Sequence, residues 1–139
     1  MRLAKILAGI GAGAAGALML GAAARPVALA STAPGLWEVS GIPGMKAPVR
    51  QCVSEVLALG QFEHRKQNCS RHVIRDAGTM TTIEYSCPDG GFGRSEIGLV
   101  TPRSLRIDTQ GISDGLPFHY VAQARRVGDC PSQQTASRH

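Results

Sequence analysis

The stretch that decides the fold runs from residue 69 to residue 87 and reads CSRHVIRDAGTMTTIEYSC. Two segments rich in β-branched and aromatic residues flank a short turn, which is typical of a β-hairpin. Gly78 supplies the positive φ angle that a hairpin turn often requires. We therefore expect antiparallel strands at Cys69–Arg75 and Met80–Cys87, joined by a three-residue loop at Ala77–Thr79.

This loop fixes a register that bears on the cysteines. With Asp76 opposite Met80, Cys69 falls directly opposite Cys87. Directly opposed residues have Cβ atoms about 4.5–5.5 Å apart, slightly more than a disulfide needs, so a small local adjustment joins them. The register therefore favours a Cys69–Cys87 disulfide.

The two remaining cysteines, Cys52 and Cys130, then form the second disulfide by elimination. The alternative is a metal or redox site made of thiolates. Zinc sites usually take ligands from closely spaced Cys pairs, and the spacing here offers no Cys-x-x-Cys motif. Two structural disulfides are the favoured interpretation for a small domain with four widely spaced cysteines.

The rest of the chain continues the same pattern of short strands and turns. Leu105–Thr109 and Leu116–Arg126 alternate apolar and polar residues, with Tyr120 on the apolar face of the second segment. The other predicted strands are Leu36–Ser40, Val49–Val53 and Phe92–Val100, with one short helical turn at Glu55–Leu59. We predict an all-β fold: a small antiparallel meander, either a curved sheet or a small closed barrel, with two disulfides.

The start of the chain resembles an export signal. Arg2 and Lys5 precede an uncharged run, and Ala28-Leu29-Ala30 gives the small-x-small pattern of a cleavage site. We predict a signal peptide at 1–30, cleaved before Ser31, and a protein that is free in the periplasm rather than membrane-spanning. An uncleaved membrane anchor is the alternative.

The predicted mature protein comprises one β domain at 31–131 and a disordered tail at 132–139. Three of the 15 basic residues and none of the 10 acidic ones precede residue 31, so the formal charge falls from +5 to +2. A nucleic-acid partner is therefore not expected, because it requires a basic face on the domain itself. We expect a monomer.

Several residues could carry chemistry, and each also has a structural interpretation. A Cys–His nucleophile could involve His64 or His72, but a disulfide removes the thiolate, and His64 is expected in a solvated loop at Phe62–Asn68. His119 is expected at the surface. Trp37 could line a ligand pocket, but the core is the favoured interpretation because one Trp must anchor much of such a small interior. Gly90–Gly93 lacks the features of a phosphate loop and is interpreted as a turn. The arginines 103, 106, 125 and 126 are interspersed with acidic residues, which favours a mixed solvated face over an anion-binding strip.

Short motifs along the chain resemble a known family. They are Pro34–Val39, Cys52, Asn68-Cys69, Tyr85–Pro88, Gly90–Gly93 and Val127–Pro131. These motifs are similar to those of the exported bacterial proteins grouped as domain of unknown function 3617. The resemblance implies a periplasmic β protein of Gram-negative bacteria with paired cysteines, and it implies no catalytic or binding residue.

The sequence thus predicts a non-catalytic binding protein, without a cofactor or a bound metal. The expected partner is a hydrophobic small molecule, a lipid or an envelope protein. The alternative function is a protein inhibitor or assembly factor that captures a partner strand at a sheet edge. A cavity inside the curved sheet would favour the ligand, and a filled core with a bare edge strand would favour the partner.

Overall fold

The computed structural model describes residues 25–131, together with Gly13 and Gly16. Seven antiparallel strands form one sheet in the order β2-β1-β7-β6-β5-β4-β3. The strands are β1 Gly35–Ser40, β2 Val49–Val53, β3 Ser70–Ala77, β4 Met80–Ser86, β5 Phe92–Thr101, β6 Ser104–Ser113 and β7 Leu116–Gly128. The predicted all-β antiparallel fold is confirmed. The sequence left a curved sheet and a closed barrel as alternatives. The sheet is open, because β2 and β3 remain as separate edges.

Two predicted segments fall largely on residues outside this description. The predicted tail at 132–139 lies wholly outside the described residues, as does most of the predicted signal at 1–30. Among the helices of the described residues, none is long and apolar enough to cross a membrane.

The predicted hairpin forms, but its turn is shorter than expected. Ala77 pairs with Met80, so the loop contains two residues and not three, and the predicted pairing of Asp76 with Met80 is wrong. The first loop residue, Gly78, has a φ of 59°. Glycine at this position suits a two-residue hairpin turn, whose twist matches that of the flanking strands.

A β-bulge restores the register beyond this turn. The pairing shifts between Val73 and Arg75, so that Ile74 is the extra residue on β3. Val73 consequently faces Ile83, which is also the pairing that the predicted three-residue loop gives without a bulge. The two differences cancel, and the cysteine end of the hairpin keeps its expected alignment.

Both disulfides join the expected cysteines. Cys69 and Cys87 have Cα atoms 4.2 Å apart and tie the open end of the β3–β4 hairpin. Cys52 and Cys130 have Cα atoms 5.5 Å apart and link β2 to the residues that follow β7. The bonds thereby anchor both edges of the sheet.

Two 3₁₀ helices cover one face of the sheet, which we call the inner face. The first helix, η1, spans Val27–Leu29 and packs on β3, β4 and β5, and the second, η2, spans Val56–His64 and packs on β2, β5 and β6. The helical turn predicted at Glu55–Leu59 is therefore longer than expected. The predicted solvated loop at Phe62–Asn68 is wrong at its start, because η2 buries Phe62 and His64 against the sheet.

The core lies between these helices and the inner face. Trp37 is fully buried, as predicted, and its indole N–H donates to the carbonyl of Ala33 at 3.1 Å. On β7 the alternation places Tyr120, Ala122 and Ala124 inward. The opposite face, which we call the open face, carries the candidate site.

Candidate functional site

The register of five strands brings two rows of side chains together on the open face. The first row crosses from β4 to β7 and contains Ser86, Phe92, Ile112 and Pro117. The second row starts one strand earlier, on β3, and contains His72, Glu84, Arg94, Gln110 and His119. Residues that pair across strands point to the same face. The sheet therefore places a mainly apolar row beside a polar one.

These rows line a groove of about 970 Å³ at the turn end of the sheet, which we call the open-face groove. This volume lies in the range of small-molecule sites. Phe92 leaves 51% of its surface exposed at the wall; Ile112 pairs with it on β6, and Pro117 pairs with Ile112 on β7. An apolar part of a ligand would cover these side chains.

The polar row combines a cation, an anion and neutral hydrogen-bonding groups. The guanidinium of Arg94 lies 3.8 Å from the carboxylate of Glu84, and both side chains are half exposed. Exposed pairs of this kind contribute about 0–1 kcal/mol. Arg94 can therefore exchange this partner for a polar group of a ligand at small cost. Gln110, its neighbour in the row, offers both a donor and an acceptor.

His119 ends the polar row, beside a carboxylate. Its Nε2 lies 2.8 Å from Oδ1 of Asp108, on the adjacent strand. This contact orients the imidazole at the rim of the groove. Asp108 also lies 4.0 Å from the guanidinium of Arg106, so an alternating set of charges surrounds that end of the row.

Two paired glycines shape the sheet beneath the groove. Gly93 and Gly111 face each other across β5 and β6. A Cβ at Gly111 would overlap the backbone carbonyl of Phe92, and one at Gly93 would overlap the ring of Tyr85. Only glycine permits this close approach. The floor of the groove therefore depends on the absence of side chains at both positions.

A buried polar cluster lies on the inner face. The Tyr85 hydroxyl and Nδ1 of His64 share a hydrogen bond of 3.0 Å, and the Tyr120 hydroxyl donates to Glu63 at 3.1 Å. Burial, and secondarily the negative charge of Glu63, raises the pKa of both tyrosines above its usual value. Both hydroxyls stay protonated at neutral pH and act as hydrogen-bonding groups, not as bases.

The histidines considered from sequence separate between the two faces. His72 and His119 line the open-face groove, while His64 is buried on the inner face and does not belong to that site. Cys69 is bonded to Cys87, so neither cysteine offers a thiolate beside His64 or His72. Within the described residues, no group of three or more His, Cys, Asp or Glu side chains is placed to hold a metal ion.

Three of the four arginines of the possible anion-binding strip, Arg106, Arg125 and Arg126, contact acidic residues. Arg125 lies 3.5 Å from Glu38, and Arg126 donates to Asp129 at 2.8 Å. Arg126 also donates to the carbonyl of Pro34, which fastens the start of β1. These residues therefore form a solvated face of mixed charge, which the sequence favours, and not a cationic strip.

Sequence reasoning missed the groove because its residues lie on five strands and look like ordinary exposed positions. The sequence correctly predicts that a strand begins at Phe92, but it does not identify the ring of Phe92 as part of a site. The signal that could have identified it is an aromatic residue on the polar face of a strand. Its neighbours become visible only once the pairing of β5 with β6 is known.

The structure defines a class: a small antiparallel β protein with two disulfides and a groove on the open face of its sheet. The family model described as "Protein of unknown function (DUF3617)" matches residues 32–130. The chain belongs to this family, as the resemblance indicated. A search of curated proteins and a search of solved structures each found no match.

Proposed function

We propose that the protein is an exported binding protein that holds a small amphipathic molecule in the open-face groove. The observation that carries the proposal is an apolar row beside a polar row within one groove of about 970 Å³. Mostly apolar walls with a few convergent polar groups are typical of small-molecule sites. The apolar part of the ligand would lie on Phe92 and Ile112, and its polar part would contact Arg94 and Gln110.

We propose a non-catalytic role. The His119–Asp108 pair is the contact beside the groove that most resembles catalytic machinery, and Ser86 is the serine of the lining. Ser86 lies on β4 and His119 on β7, three strands apart. At about 4.8 Å per strand this separation is roughly 14 Å, which is far beyond hydrogen-bond reach. The pair is better suited to orienting a bound polar group.

We propose the periplasm as the location. Two disulfides at both edges of the sheet suit an oxidising compartment. The start of the chain also has the pattern of an export signal: basic residues, then an uncharged run, then small residues.

Capture of a partner strand at a sheet edge is the second candidate function. The edge strand β3 exposes Val73 and Ile74, each to about 45%, which a partner would cover. The bulge at Ile74, however, interrupts the backbone ladder, and bulges and edge charges such as Arg75 hinder strand addition. We therefore prefer the open-face groove.

A fluorescent amphipathic probe, N-phenyl-naphthylamine, tests the proposal. We expect saturable binding to the wild-type protein and at least about five-fold weaker binding to Phe92→Ser, because that variant loses roughly 1 kcal/mol of apolar contact. Val100→Ser is the matched control, since Val100 is 65% exposed at the other end of β5, outside the groove. Equal dissociation constants for the three proteins would place the probe elsewhere and refute the proposal.

A further inference from the structure

The residues just before the predicted cleavage point are part of the folded domain. Leu29 is fully buried in the hydrophobic core and Ala28 is 2% exposed. Both belong to η1, which packs on β3, β4 and β5. A segment with this degree of burial contributes to the core and does not merely precede it.

A side chain on β3 fixes the position of η1. The carboxylate of Asp76 accepts hydrogen bonds from the backbone N–H groups of Val27 at 2.6 Å and Ala28 at 3.1 Å. These are amides at the start of a helix, which lack partners within it. The hydroxyl of Thr81 donates to the same carboxylate at 3.0 Å. The bonds from Ala28 and Val27 lower the pKa of Asp76, so the carboxylate remains charged and bonded at neutral pH.

Two hydrogen bonds join residues that lie on either side of the peptide bond between residues 30 and 31. The buried hydroxyl of Thr32 donates to the carbonyl of Leu29 at 2.7 Å. The guanidinium of Arg25 donates to the carbonyl of Thr32 at 2.8 Å. Cleavage before Ser31 would therefore divide one structured unit. It would also remove Leu29 from the core and take both backbone donors from Asp76.

We propose that export processing removes residues 1–24 and leaves Arg25 as the first residue of the mature protein. The inference rests on the proposed export. Ala22-Ala23-Ala24 supplies the small-x-small pattern as well as Ala28-Leu29-Ala30 does. Hydrolysis of the bond between Ala24 and Arg25 consumes one water and leaves a carboxylate on Ala24 and an amine on Arg25. This cleavage site replaces the one before Ser31 that the sequence alone predicts.

The N-terminus of the exported protein tests the proposal directly. The full chain is produced with its own N-terminal segment in a Gram-negative host, and the periplasmic product is analysed by intact mass and N-terminal sequencing. We expect a chain that starts at Arg25. A start at Ser31 would leave the export proposal intact and overturn the processing site. A chain that stays unprocessed in the cytoplasm would overturn both.

Two substitutions separate the possible cleavage sites. Ala24→Leu places a large residue directly before the proposed site, and Ala30→Leu does the same for the later one. We expect Ala24→Leu to accumulate precursor and Ala30→Leu to be processed like the wild type, since Ala30 is exposed and tolerates the change. The opposite pattern would overturn the proposal.

The stability of the exported product provides a second test. We expect Leu29→Ser to lower the unfolding temperature by roughly 10 °C through loss of a buried side chain. Val27→Ser, in the same helix, should change it little, because Val27 is 71% exposed. Products of identical mass and identical unfolding temperature would show that η1 is absent from the mature protein and would overturn the inference.

Discussion

Tyr120→Asp is expected to leave the protein largely unfolded at room temperature. Tyr120 is 7% exposed on the inner face, and its hydroxyl donates to Glu63. The substitution removes the ring from its contact with Phe118 and places a second carboxylate near Glu63 in a buried site. A polar group buried without partners costs roughly 2–7 kcal/mol and a charge costs more. That loss is comparable to the whole stability of a small domain.

Gln123→Asp is the matched control for this prediction. Gln123 lies on the same strand, is exposed on the opposite face and pairs with Arg106. We expect a change within about 0.5 kcal/mol in urea unfolding. Similar losses for the two variants would mean that the faces of β7 are assigned wrongly.

Removal of the Cys52–Cys130 bond is expected to destabilise the protein more than removal of Cys69–Cys87. The two bonds close loops with sequence separations of 78 and 18 residues. The chain-entropy model gives about 4.5 kcal/mol for the longer loop and about 3 kcal/mol for the shorter one. The comparison uses two double variants, each with one cysteine pair replaced by alanine.

The free energies of unfolding of these two variants show which disulfide stabilises the protein more. Non-reducing peptide mapping of the wild-type protein verifies the two cysteine pairs. A larger loss for the Cys69–Cys87 variant would contradict the entropic ranking. A Cys52–Cys69 link in the mapping would contradict the hairpin register itself.

The strands were predictable because their alternation is local. Leu116–Arg126 alternates with period two, and this was enough to place Tyr120 inward. The pairing of Cys69 with Cys87 was predicted correctly because two differences cancel: the loop has two residues instead of three, and the bulge adds one residue to β3. The compensating bulge at Ile74 was not predictable, since it changes neither composition nor alternation in a way that one sequence reveals.

The 3₁₀ segments were harder to predict. The residues from Phe62 to Asn68 are mostly polar and suggest a loop, yet Phe62 and His64 are buried by tertiary contacts with the sheet. A 3₁₀ helix is short and gives no clear periodic pattern. Similarly, the sequence places η1 in the signal because Ala28-Leu29-Ala30 gives the small-x-small pattern of a cleavage site, and the same apolar residues also suit a buried turn.

The groove could not be predicted from single segments, because its lining depends on the pairing of five strands. Arg94 and Gln110 lie beside each other only through the β5–β6 register. On each strand alone, such residues are typical of a solvent-exposed face. The site follows from the tertiary arrangement of ordinary strand residues and not from a sequence motif.

Native mass spectrometry of the protein, produced with its own N-terminal segment in a Gram-negative host and released gently from the cells, tests the proposed binding function most directly. We predict that wild-type protein and Val100→Ser carry a non-covalently bound molecule of a few hundred daltons, a size that suits the open-face groove. The double variant Phe92→Ser/Ile112→Ser should be isolated without it. Wild-type protein that carries no ligand, or equal amounts of ligand on the double variant, would contradict the account.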